Sequence, residues 1–163
     1  MLRLEEICYV LRDTTRIGLC STSELEQGSG KAPMEVLAYL LPLLPQQLGD
    51  RNFMKDHRVR LPYMCGAMAN GIASERLVIA MGETGLLGSF GAAGLVPSRI
   101  EEAIQTIQTS LPEGPYAFNL IHSPAEDAIE RAAAELFLKH QVKTVEASAF
   151  LDLTPPIVYY RVN

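Results

Sequence analysis

This sequence has no basic stripe, no apolar run long enough to cross a membrane, and no paired-cysteine motif. Each absence removes a class of function. Formal net charge is −5, with no long run of either sign, whereas nucleic-acid binders concentrate Lys and Arg on one face. The most apolar early stretch, 37–48, is interrupted by Pro42 and Pro45 and falls short of the roughly 20 apolar residues of a spanning helix. The three cysteines, Cys8, Cys20 and Cys65, show neither CxxC nor zinc-ligand spacing. The first residues turn acidic at Glu5 and Glu6, where an export signal would begin its apolar core. An odd thiol count without such a signal points to reduced cysteines in the cytoplasm. Cys8 and Cys20 are close enough in sequence to face each other across a hairpin.

The sequence divides near residue 57. Before it, Ile7–Leu11 and Arg16–Cys20 are β-prone runs around Asp13-Thr14-Thr15, which predicts a hairpin. Ser21–Lys31, rich in Ser, Gly and Glu, reads as a loop, and Met34–Leu41 as a short helix stopped by Pro42.

From about residue 58 the pattern is regular. Strands are expected near Leu61, Leu86, Tyr116 and Thr144, with a fifth over Ile157–Val162, and helices between them. Strands and helices alternating every 25–30 residues or so make repeated β/α units on a parallel sheet. Helix signals support this. Ser74–Thr84 ends at Gly85, a suitable left-handed cap. Ser98-Arg99-Ile100-Glu101 and Ser123-Pro124-Ala125-Glu126 both fit the capping box. Behind them run the apolar stripes Ile100, Ala103, Ile104, Ile107, Leu111 and Ile129, Ala132, Ala133, Leu136, Phe137. Four such units make about half of a TIM-type (β/α) barrel, which needs about 250 residues in all. A smaller open α/β sheet is the alternative.

Two loops of small residues follow the first two strands, Gly66–Ser74 and Gly88–Gly94. Small residues let backbone approach a flat ligand closely, and free amides can bond its polar edge. A tight strand-to-helix turn with no ligand explains the first loop as well. The second has GxxGxxG spacing, which is not the dinucleotide fingerprint GxGxxG.

It is at these loops that the sequence resembles a known family. PYMCGAMANGIASERLVIAMGETGLLGSFGAAGL is similar to the opening of the FMN-binding barrels of the nitronate monooxygenase and enoyl reductase superfamily. NLIHSP at Asn119–Pro124, VEASAF at Val145–Phe150 with LTPPIVYYR after it, and LGDRNF at Leu48–Phe53 resemble the trans-acting enoyl reductases of polyketide and polyunsaturated fatty acid synthases. The resemblance implies an FMN barrel that reduces an enoyl thioester on an acyl carrier protein, with NADPH reloading the flavin. It implies synthase components as partners, and the rest of the barrel from the same or a second chain. FMN phosphate loops would lie in that remaining part. A nitronate monooxygenase-like oxidase, and a non-catalytic half-barrel acting as an assembly partner, are the alternatives.

The resemblance places Gly66, Ala67, Met68 and Ala69 along the flavin ring. Cys65 departs from the small or apolar residue it leads one to expect. Asn119, near the C-terminal end of an apolar strand, needs a hydrogen-bond partner from protein or ligand. Glu146, a carboxylate in a buried strand, is read as a flavin contact, a bond to a neighbour, or half of an internal ion pair. His122, directly after the third strand of the β/α region, is the candidate catalytic residue, donating the α-carbon proton or bonding the thioester carbonyl. A local bond to backbone beside Ser123 is the plainer reading. No metal ligands are expected.

Overall fold

The structure is a computed structural model and describes residues 3–27, 34–125 and 127–163. It contains two compact units, meeting in sequence at Asp50/Arg51.

The first unit is a three-stranded antiparallel sheet in the order β2-β1-β3, with β1 at Cys8–Arg12, β2 at Ile17–Ser21 and β3 at Glu35–Leu40. The hairpin forms where the sequence predicts it. Asp13 closes it, its Oδ1 accepting from the Thr15 and Arg16 amides at 2.6 and 2.8 Å. Tyr9 pairs with Cys20 and Cys8 with Ser21, so the two thiols are offset by one register position, and all three cysteines are free.

Two expectations change here. Thr22–Gln27 is a short helix, α1, and not a loop. Its start is a reciprocal cap: the Glu24 amide donates to Ser21 Oγ at 3.3 Å, and the Ser21 amide donates to Glu24 Oε2 at 2.9 Å. The remainder of the expected loop, 28–31, lies outside the described residues. The expected helix at 34–41 is instead strand β3. A segment this short closes few intrahelical bonds, whereas the free edge of β1 offers it a ladder along Cys8–Arg12, broken once by a register shift between Val10 and Leu11.

The second unit is a parallel sheet in the order β4-β5-β6-β7. Its strands are Met64–Cys65, Leu87–Phe90, Ala117–Ile121 and Val145–Ser148. A helix precedes it, α2 (Arg51–His57), and helices follow each strand: α3 (Glu75–Glu83), α4 (Pro97–Ser110), α5 (Asp127–Lys139) and α6 (Pro155–Val162). The expected boundary at 57 is displaced because α2 belongs to this unit: Phe53 and Met54 pack on Val59, Leu87 and Ala117.

α3 starts and stops as expected, capped by Ser74 Oγ at 3.4 Å from the Leu77 amide, with Gly85 at φ +71°. α4 does not use Ser98 as its cap. Val96 takes that place and Pro97 the first turn, while Glu101 is occupied by Lys139 and His140 at 2.7 Å each. The second expected box depends on Glu126, which lies outside the described residues. The buried stripe of α5 is Glu130, Ala133, Ala134 and Phe137, rotated from the apolar set, and Ile129 is exposed. The expected fifth strand is α6. Pro155 and Pro156 suit a first helical turn, and Ile157 and Tyr160, three apart, pack together on the core.

Strand alternation gives the sheet two faces. Phe90, Phe118 and Leu120 meet Ile100, Ile104, Ile107 and Phe137 of the helices, with ring centroids 5.4 Å apart for Phe90–Phe118 and 5.5 Å for Phe118–Phe137. The opposite face carries Leu87, Ser89, Ala117 and Asn119, and the register sets Glu146 beside Asn119 and Ser148 beside Ile121. In a barrel that second face lines the bore.

Candidate functional site

Because β4 to β7 are parallel, their C-terminal ends share one rim, the side on which α/β folds carry chemistry. The first small-residue loop leaves β4 there and is tied to the second by backbone bonds. The amides of Asn70 and Gly71 donate to Ala93 and Gly91 carbonyls at 2.8 and 2.9 Å, and the Gly91 amide donates to Ala73 at 3.0 Å. A Cβ on Gly91 would overlap the Met68 carbonyl oxygen, and one on Gly94 would overlap Asn70 Oδ1. Gly91 and Gly94 therefore make room for the first loop.

That leaves the outer edge of the first loop for a ligand. Gly66, Met68 and Ala69 are exposed and Ala67 is half-buried. The Ala67 amide donates to Glu146 Oε2 at 2.9 Å. Glu146 thus bonds a backbone amide of the loop, the neighbour bond among the readings of it, and it forms no ion pair among the described residues.

Asn119 is buried, and its Nδ2 donates to the Glu146 carbonyl at 3.0 Å and Ser148 Oγ at 2.8 Å. Its amide hydrogens are therefore spent on β7. The structure brings Gly66, Ala67, Met68, Ala69, Asn119 and Glu146 to one end of the sheet. Ser89 and Ser148, neither of them a candidate from sequence, share the bore face with them. Ser89 is 1% exposed, and its Oγ has no partner among the described residues. A buried hydroxyl without a partner costs about 1–3 kcal/mol. The bore face therefore offers one unsatisfied polar group, and the rim loop beside it carries small residues at Gly66, Ala67 and Ala69 with Met68 exposed, a set that fits a flat, polar-edged ring.

His122 is not brought to them. The strand alternation that turns Asn119 to the bore turns His122 to the helix layer, where α5 supplies its partner. Its Nδ1 lies 2.9 Å from Glu130 Oε2, and its ring stacks on Phe150 at 5.3 Å. Glu130 is 3% exposed. It also accepts from the Ser123 amide at 3.2 Å and, through Oε1, from Thr154 Oγ1 at 2.9 Å. Burial pushes its pKa up, but the bonds from His122, Thr154 and Ser123 outweigh burial and leave it below the ordinary carboxylate value. No sequence signal pointed to Glu130 or Thr154, since their partners come from three separate elements.

Among the described residues, no group of His, Cys, Asp or Glu is arranged to hold a metal, and no helix is long and apolar enough to cross a membrane.

The fold and rim can be set beside known proteins. No family model matches the chain. It is 45% identical over 161 residues to a polyunsaturated fatty acid synthase subunit of Thraustochytrium sp., covering 99% of the chain and 10% of that protein. It is 39% identical over 117 residues to polyketide biosynthesis protein PksE of Bacillus subtilis, covering 71% of the chain and 15% of that protein. Among solved structures, the enoyl reductase domain of MlnA, from the macrolactin biosynthesis cluster of Bacillus amyloliquefaciens, superposes with a TM-score of 0.68. It is 37% identical, over 71% of the chain and 26% of that domain's chain. By sequence, the chain is a homologue of these polyunsaturated fatty acid synthase and polyketide biosynthesis proteins, and by sequence and fold of the MlnA enoyl reductase domain. A probable nitronate monooxygenase of Bacillus subtilis is more distant, 30% identical over 95 residues, with 55% of the chain and 27% of that protein covered. The chain spans between a tenth and about a quarter of the length of these relatives.

Proposed function

We propose that this chain forms the first part of an FMN-dependent enoyl reductase acting on α,β-unsaturated thioesters carried by an acyl carrier protein, with NADPH as the hydride source. The observation that carries the proposal is the exposed rim loop Gly66–Ala69, pinned by Glu146 beside bore-facing Asn119, in a homologue of the MlnA enoyl reductase domain.

Bound FMN would supply the hydride for the β-carbon. This chain's own residues do the rest by position. Gly66 presents no side chain, Ala67 is held by the Glu146 carboxylate, and Met68 and Ala69 continue the same edge. Asn119, anchored through Nδ2, presents Oδ1 as the acceptor for a donor on the ring edge. The remainder of the barrel, and the synthase components around it, complete the site in this reading.

The test uses the purified protein with its flavin. NADPH oxidation coupled one-to-one to reduction of an enoyl thioester supports the proposal. Oxygen uptake with a nitroalkane, and no reduction of the thioester, would move the protein to the nitronate oxidases. Purification without any flavin would favour the non-catalytic half-barrel.

A further inference from the structure

The His122–Glu130–Thr154 cluster is separate from the bore-facing residues, and it borders a cleft of about 530 Å³ between α5 and α6. The walls of this cleft include Arg131, Pro155, Pro156 and Tyr159. Apolar walls with a few convergent polar groups are the usual makeup of a small-molecule site.

The cluster gives that cleft one oriented nitrogen. The Glu130 side chain is 1% exposed. It receives three donors, from His122, Ser123 and Thr154. A carboxylate so satisfied keeps its charge, so it takes the His122 Nδ1 proton as its bond. The tautomer is thereby set, and Nε2 is the nitrogen left for a ligand. Stacking on Phe150 restrains the ring plane. The His122 side chain is 23% exposed, enough to be reached from the cleft. Asp127, Arg131 and Tyr159 are the other ionisable groups along it.

We propose that this cleft takes the amide-bearing pantetheine arm of the thioester substrate, with His122 Nε2 as its polar contact and Glu130 as the positioning residue. The inference rests on the enoyl reductase reading. It assigns His122 to substrate delivery, because the ring lies across the sheet from the rim loop that would meet the flavin. A linear arm with carbonyls and amides suits a proline- and tyrosine-walled cleft holding a single oriented imidazole.

The experiment compares two enoyl thioesters of the same acid in the flavin-loaded protein, one on full pantetheine and one on N-acetylcysteamine, which keeps only the terminal amide. The wild type should show a lower KM for the longer thioester. In His122→Gln and Glu130→Gln that advantage should shrink by roughly tenfold, the loss of one hydrogen bond, with kcat little changed. His122→Gln alters a partly exposed side chain and remains informative if Glu130→Gln folds poorly. An equal fall in kcat on both thioesters would overturn the proposal and make His122 the proton donor. Loss of FMN together with activity would overturn it in favour of a loop-supporting role. Reduction of neither thioester by the wild type would instead sink the enoyl reductase reading beneath it.

Discussion

The Glu146 carboxylate accepts the Ala67 amide at 2.9 Å although the two residues are 79 positions apart. One strand thereby holds the loop that leaves another at the far side of the sheet. The bond involves a charged acceptor, a kind that contributes about 1.5–3 kcal/mol when intact.

If that bond shapes the flavin-facing edge, Glu146→Gln should weaken FMN binding by about tenfold or more while leaving the fold intact. Fluorescence titration of the stripped protein with FMN measures this. Unchanged affinity would show that the loop holds its shape without Glu146.

Released flavin should be FMN and not FAD, and Ala67→Phe should abolish its binding by placing a ring where backbone must approach closely. Chromatography of the acid-released cofactor and the absorbance of the variant decide both points. A fully loaded variant would place the flavin elsewhere.

Gly91→Ala should cost about 3 kcal/mol, because its new methyl would overlap the backbone oxygen of Met68, which has little freedom to move. Gly18→Ala is the control, since nothing lies within 4 Å of a Cβ there. Urea unfolding of the two variants should separate them clearly. Equal midpoints would mean that the two rim loops are not packed as described.

Glu130 carries a pH dependence with a definite sign. Its pKa is lower in the folded state than the ordinary 4.5, so its contribution to stability is present above that value and is lost as pH falls through the lowered folded value. Melting temperature followed from pH 7 downward should drop in acid more steeply for the wild type than for Glu130→Gln. Parallel curves would show that Glu130 is not a source of the stability lost in acid.

Local rules were legible in the chain before any fold was known. Asp13 sets a hairpin, Ser74 and Gly85 bound α3, the stripe from Ile100 to Leu111 faces inward, and four apolar strands recur at one period. These follow from hydrogen-bond capping and side-chain periodicity, which act over a few residues. Competition between distant partners has no such local signature, and packing alone resolved it. The segment Glu35–Leu40 became a strand because β1 had an open edge. Glu101 left its expected cap for Lys139 and His140. Glu130 entered the buried stripe of α5 because His122, Ser123 and Thr154 converge on it. The direction of His122 was settled the same way: a strand alternates its faces, and the face that meets the helices is known only once the helices are packed.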